Sequence, residues 1–338
     1  MVMEARETQV HGCAVVTLAN DRLSVTIIPG KGADIVSLID QASGTELLWR
    51  SPAGLDALAK PNTAGGVRYV GGWIETFPNA WSGCTHRGRA LSGYGDVWQL
   101  PWEYRIERVG SADVAGDDTG AADEIRVVCD VQSGELPLRL TRTIALRRGC
   151  SVIRIEEKVQ NIGEETVDFT WGHHPNLGRP FLDESCVIDL PPCEIWADGR
   201  KAGVWPYLQG TEGLEDLRLV PPYGTSRENR HILLRRLAAS EATVRNTASG
   251  LSFRLWWDGE TFSDLLLWRA FDTGPSETFG DGQIVCLFPK RSHGNVAEAA
   301  AEGEALTLAP GETGSAWIEA EVMREQARMN NEPIHKID

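Results

Sequence analysis

LRLTRTIALRRGCSVIRIEEKV, residues Leu138 to Val159, reads as two strands and the turn between them. Leu138, Leu140, Ile144 and Leu146 fall at every second position, with Arg142 as the one break, and Ile153, Ile155 and Val159 resume the same period. Successive side chains of a strand point to opposite faces, so period two predicts half-buried strands rather than a helix. Arg147-Arg148-Gly149 separates the two runs, and Gly149 supplies the positive φ that a tight hairpin turn requires.

Working outward, the same alternation recurs at Leu23, Val25 and Ile27; at Ile125, Val127, Cys129 and Val131; at Leu251, Phe253, Leu255 and Trp257; and at Ala316, Ile318, Ala320 and Val322. Helical signals are short: Ala53 to Lys60, stopped by Pro61, and Asn295 to Glu302, with Asn295 as N-cap and Gly303 as the stop. No run supports a βαβ unit, and 35 Gly and 17 Pro fit the many turns of antiparallel sheets. The expectation is an all-β chain forming one domain over residues 1–338, with a core from about 13 to 323 and a polar tail from 324 to 338. The acidic stretch Ser111 to Glu124 reads as a surface excursion rather than a domain boundary.

Lys plus Arg number 33 and Asp plus Glu 48, so the formal net charge is 33 − 48 = −15. Nucleic acid or an anionic membrane would be approached against repulsion, so neither is an expected partner. No stretch approaches the roughly 18 apolar residues that span a bilayer, and residues 1–10 carry no basic and apolar leader pattern; a cytoplasmic location is the expectation. The seven cysteines are odd in number and contain no CxxC pair, which indicates neither a disulfide framework nor a cysteine zinc site. No tight ligand spacing asks for a metal, and no cofactor is expected. Base rates alone make a homodimer the default oligomer.

Three segments interrupt the strand pattern with polar and aromatic residues. Val70 to Glu103 gathers Trp73, Trp81, Trp98 and Trp102 around Glu75, Asn79, His86, Tyr94 and Asp96. Indole and phenol faces suit the C–H face of a sugar ring while carboxylates and amides bind its hydroxyls; the same tryptophans also suit the capping of a sandwich end. Phe169 to Gly178, FTWGHHPNLG, sets His173 and His174 beside Trp171. Adjacent histidines on a strand face opposite ways, so one of them at most addresses a given pocket. Imidazole is the side chain best suited to move a proton to and from oxygen at neutral pH. Phe262 to Gly294 carries Asp264 ahead of LLLWRAF, and then IVCLFPKRSHG; Asp264 either binds a hydroxyl or caps a turn, and Arg291 and His293 line a mouth or a solvated loop. Arg68, Arg269, Lys290 and Arg291 are candidates for binding a substrate carboxylate or phosphate.

In this order the segments resemble the aldose 1-epimerase, or galactose mutarotase-like, superfamily. The opening Leu23 to Trp49 is similar to that family's first hairpins, GGWIETFPN (Gly71 to Asn79) to the aromatic loop of its bacterial branch, WGHHPNLG to its histidine-bearing strand, and Ala297 to Glu312 to its closing segment. The resemblance spans roughly Leu23 to Val322. It implies a β-supersandwich with a sugar cleft, in which a general base and a general acid open and reclose a cyclic aldose at its anomeric carbon without a cofactor.

Carried onto this sequence, the resemblance puts the family's strand histidine at His174, or by a one-residue slip at His173. Its second histidine falls at Tyr94 and its base, a Glu before Pro, at Phe288. Phenylalanine accepts no proton, so the acid/base set is altered, and the resemblance points to Glu75 or Asp264 as replacements beside His174. Arg68, Trp73, Asn79, Tyr94, Asp96, Trp171, His173, Arg269 and His293 complete the expected binding set for a sugar or sugar acid. The alternatives are a sugar-binding protein that has lost turnover, or a lyase or hydrolase acting on a sugar derivative.

Overall fold

The computed structural model describes residues 3–60, 68–110, 122–197, 199–210, 213–271 and 282–324. Two large antiparallel sheets carry the chain. The alternating segments Ile125–Val131, Leu138–Leu146, Ile153–Val159, Leu251–Trp257 and Ala316–Val322 all enter the smaller, eight-stranded sheet, as Ala122–Gln132, Leu138–Arg147, Val152–Asn161, Leu251–Trp257 and Thr313–Arg324. The hairpin at Gly149 forms as its sequence implies: Arg147 and Val152 bound it, and Gly149 sits at φ 71°. The larger sheet has fourteen strands, and its middle runs through Trp73–Thr76, Gly172–Leu177, Ile284–Lys290, Asp264–Ala270 and Asn229–Arg235 as successive neighbours.

One apolar core is shared by the facing sides of the two sheets, with Val25, Ile27 and Leu38 from the large sheet meeting Val127, Ile144 and Ile155 from the small one. A second, smaller cluster lies on the opposite side of the large sheet, around Trp49, Leu266, Trp268, Cys286 and Phe288. Both faces of the central strands are therefore covered, and Asp264–Ala270 and Ile284–Lys290 are buried at every position. Such strands read as continuous rather than alternating apolar runs.

Of the helix signals, Gly54–Ala59 forms a 3₁₀ turn and Val296–Glu302 an α-helix. Asn295 accepts from the backbone N–H of Glu298 while the Glu298 carboxylate accepts from that of Asn295, a capping box, and Gly303 closes the helix in the left-handed region. The next backbone N–H, that of Val296, donates to Asn79 Oδ1, so this helix start anchors the aromatic loop. Asn295→Ala is expected to cost ~1 kcal/mol, read as a lower urea midpoint at unchanged slope; a shift below ~0.3 kcal/mol would mean that the cap contributes little. Pro61, Ser111–Ala121 and residues 325–338 lie outside the described residues, whereas the strand Ala122–Gln132 takes up the end of the acidic stretch. No described helix is long and apolar enough to cross a membrane.

Candidate functional site

Strand Gly172–Leu177 lies between Trp73–Thr76 and Ile284–Lys290, and its two histidines part as strand parity requires. His173 stands opposite Glu75 in register and turns toward the small sheet. There its Nε2 meets Glu157 Oε2 at 2.8 Å, and Trp73 Nε1 donates to its Nδ1 at 3.2 Å. Arg142, the break in the alternation, stands opposite Glu157 in register and donates from Nε to Glu157 Oε1 at 2.7 Å. Its other guanidinium edge pairs with Glu75, whose carboxylate also accepts from Trp171 Nε1. All four charged or titratable members, Glu75, Arg142, Glu157 and His173, are at most 2 % exposed. Burial works to raise Glu157, but His173 and Arg142 outweigh it and hold the carboxyl below its ordinary range. This is a cross-sheet tie inside the core.

His174 points the other way, onto the aromatic cluster. Its ring lies 4.9 Å from Phe288, 5.8 Å from Trp268 and 5.9 Å from Tyr94, centroid to centroid, and its Nδ1 is buried with no hydrogen-bond partner among the described residues. Trp81 covers this floor, edge-on to Tyr94 and to His231, while His231 stacks on Trp268 at 5.6 Å and 8°. Lys290 closes one end: its Nζ lies 4.5 Å from the Trp81 ring centroid and 5.3 Å from that of Phe288. Asp264 faces Lys290 in register, with Oδ1 3.3 Å from Arg235 Nε and Oδ2 buried without a partner among the described residues.

Two glycines make this packing feasible. A Cβ on Gly172 would come within 2.5 Å of Phe288 Cε2 and 2.9 Å of Lys290 Cβ. One on Gly95, at φ 70°, would come within 2.0 Å of the Phe77 carbonyl oxygen, and this residue follows Tyr94, itself at φ 63°.

Apolar burial sets the electrostatics. It pushes His174 down to about 3, helped by the nearby His231 and Lys290, and His231 down to about 4, helped by Lys290. The same burial lowers Lys290 to about 7 against the upward pull of Asp264 and Glu298, and raises the Asp264 carboxyl against Arg235. Both imidazoles are therefore neutral at neutral pH, and Tyr94, pushed up to about 12 by burial, stays a phenol.

Of the residues singled out from sequence, the structure brings His174, Tyr94 and Asp264 to this face. Glu75 is corrected: it lies on the opposite side of the sheet from His174, neutralised by Arg142, so it is placed to hold the core rather than to reach a sugar. Trp73, Trp171 and His173 lie in the same interior network. Asn79 is buried and holds its own loop, donating to the carbonyls of Ser82 and Ser92 at 2.9 and 2.8 Å. Asp96 accepts from Ser133 Oγ and Gly134 N, a tie to the small sheet. Arg269 points away from the His174 face, onto Glu228 and the Leu217 and Leu219 carbonyls. Arg68 donates to the Lys60 carbonyl, and His293 sits half-exposed near Glu302 and Glu304. Asp264 belongs to a strand, not to a turn.

Sequence reading passed over His231 and Trp268, and gave Lys290 only an anion-binding role. The available signal was parity: Ile232 and Leu234 alternate with His231, which puts the imidazole on the other face.

Among the described residues, two groups have metal-ligand spacing. In Glu75, Glu157 and His173 the Arg142 guanidinium already supplies the cation, and in His293, Glu302 and Glu304 the Glu304 carboxylate is engaged by Arg235. The first donor set is therefore already charge-compensated.

The fold is similar to that of solved proteins named as aldose 1-epimerases or galactose mutarotase-like proteins. The chain belongs to the family described as a domain of unknown function, DUF4432, whose pattern matches residues 10–322. A provisionally assigned aldose 1-epimerase from Klebsiella pneumoniae superposes with a TM-score of 0.74 at 17% identity, over 93% of this chain and 80% of that one. Another from Escherichia coli K12 gives 0.63 at 18% identity, over 93% and 100%, and a galactose mutarotase-like protein from Lactobacillus casei gives 0.60 at 13%, over 91% and 100%. No curated protein matches the sequence.

Proposed function

We propose that this protein binds a cyclic sugar or sugar acid on the aromatic face around His174 and interconverts its anomers by proton transfer. The observation that carries the reading is the outward His174: a neutral imidazole with an unpartnered buried nitrogen, ringed by Tyr94, Trp268 and Phe288. A leftover polar atom in an apolar site is costly unless a ligand satisfies it. The aromatic rings suit the C–H face of a pyranose, and the names given to the structural relatives point to the same substrate class.

His174 is 4 % exposed and Phe288 is fully buried, so entry of a sugar requires part of the aromatic cluster, of which Trp81 is a half-buried member, to swing aside. The second reading is binding without turnover, which Phe288 and Tyr94 favour because neither replaces a carboxylate base. One pair of measurements on freshly dissolved single anomers separates the two. Sugars and uronates that quench tryptophan fluorescence should also lose their optical rotation toward equilibrium faster with the protein present. Quenching without acceleration supports the binder, and neither effect with any sugar overturns both readings.

A further inference from the structure

Resting on the anomer-exchange reading, we propose that Lys290 is the second proton-transfer group of the site, giving its proton to the ring oxygen while the neutral His174 imidazole takes the proton of the anomeric hydroxyl. The acid and base would then both be nitrogen groups, and a single positive charge would pass between them.

The geometry comes first. Lys290 ends the strand Ile284–Lys290 two residues beyond Phe288, so its side chain leaves the sheet on the same face as Phe288 and His174. It is 0 % exposed. Its one hydrogen bond among the described residues is a long one, 3.4 Å to the His293 carbonyl, and no described carboxylate lies within ion-pair distance of Nζ. Asp264, opposite in register, is engaged by Arg235 instead. Gly172, the other register partner, has no side chain to fill the space between Lys290 and Phe288. A lysine buried over two aromatic rings without a paired carboxylate is expensive for a fold to keep, and such groups concentrate at working sites.

The charged and titratable groups around it set its chemistry. Asp264 faces it from the neighbouring strand and Arg235 lies on the strand beyond, His174 and His231 belong to the aromatic cluster, Glu298 comes from the helix, and His293 and Glu304 from the loops on either side of that helix. Lys290 titrates near 7, far above His174 and His231, so among the three nitrogens the proton rests on Lys290. Repulsion from that charge helps hold the imidazoles down, so release of the Lys290 proton makes His174 more basic at the moment it has to accept one.

The step balances. The ammonium gives its proton to the ring oxygen as the bond from that oxygen to the anomeric carbon breaks. The hydroxyl proton passes to the imidazole, and the hydroxyl oxygen becomes the aldehyde oxygen. After rotation about the bond to C2, the imidazolium returns its proton to that oxygen, the ring closes on the other face, and the lysine recovers the ring-oxygen proton.

The test is the pH profile of anomer exchange for the wild type, Lys290→Met and Lys290→Arg, with thermal unfolding as the fold control. Expected is a wild-type kcat/KM that is flat below about pH 7 and falls about tenfold per unit above it, because protonated Lys290 is the donor. Lys290→Met should lose ~10²–10⁴-fold. Lys290→Arg, which keeps the charge but releases no proton, should lose a similar factor and show no fall above pH 7. Should Lys290→Met fail to fold, ¹³C signals of the six lysines in the wild type report the same property, with the Lys290 resonance titrating near 7. A wild-type rate that rises through pH 7, a Lys290→Met rate within twofold of wild type, or a Lys290 titration above pH 9 overturns the inference while leaving the anomer reading intact. A wild type that accelerates no sugar overturns both.

Discussion

Replacing Arg142 by methionine is expected to remove ~3–5 kcal/mol of stability, because it leaves buried carboxylates without the cation that holds them. Arg142 bridges Glu75 and Glu157, donates to the Ala33 carbonyl at 3.2 Å, and lies 5.2 Å from the Trp102 ring. Both carboxylates are buried, at 0 and 1 % exposure. Charge, not volume, accounts for the loss, so adding Glu75→Gln and Glu157→Gln to Arg142→Met should recover part of it, and denaturant midpoints would show this.

The pH dependence should weaken as well. In the wild type Glu157 is held below its unfolded value, so its contribution is present above the ordinary carboxylate range and is lost as pH falls. Without Arg142 only His173 remains to hold the carboxyl down against burial, so this pH-dependent contribution should shrink. An Arg142→Met protein within ~1 kcal/mol of the wild type would show the network to be incidental.

The second large effect is on turnover. His174→Ala is expected to lower the rate of catalysed anomer exchange by ~10²–10⁴-fold, the span usually supplied by a positioned proton-transfer group. The variant should stay folded, since His174 touches only the smaller apolar cluster and not the core shared by the two sheets. It should also resist acid better. The folded imidazole titrates at about 3 and the unfolded one at 6.5, so between those values the unfolded chain binds a proton that the native one does not. Wild-type stability therefore falls by ~1.4 kcal/mol for each pH unit lost in that window. Removing His174 should flatten that slope; unchanged exchange together with unchanged acid sensitivity would contradict both roles.

The fold was legible from the period-two runs because a half-buried strand writes its two faces directly into its sequence. Arg142 shows where such reading stops. As an isolated polar residue among Leu138, Leu140, Ile144 and Leu146 it looked like an interruption, and only register reveals Glu157 opposite it and Glu75 across the sandwich. The tryptophans illustrate the same limit. Trp73 and Trp171 looked like sugar-binding residues, yet each donates its indole N–H inside the core, to His173 and Glu75 respectively, whereas Trp81 and Trp268 belong to the aromatic cluster around His174 and His231.

The histidine pair was read correctly as facing two ways, but a single strand does not say which side meets the second sheet. Lys290 gave little signal because a lysine after Phe-Pro reads as solvated. Its burial comes from Trp81, more than two hundred positions earlier in the chain.

The central claim is that the two adjacent histidines divide their work, His173 holding the sandwich together and His174 moving protons. Saturation exchange between α and β anomer signals, recorded by NMR for the wild type, His173→Asn and His174→Asn at equal folded fraction, tests it most directly. The account predicts accelerated exchange in the wild type, lost in His174→Asn at near-native stability, and retained per folded molecule by a destabilised His173→Asn. Exchange that survives in His174→Asn and disappears in folded His173→Asn would place the chemistry on the other face of the sheet and contradict the account.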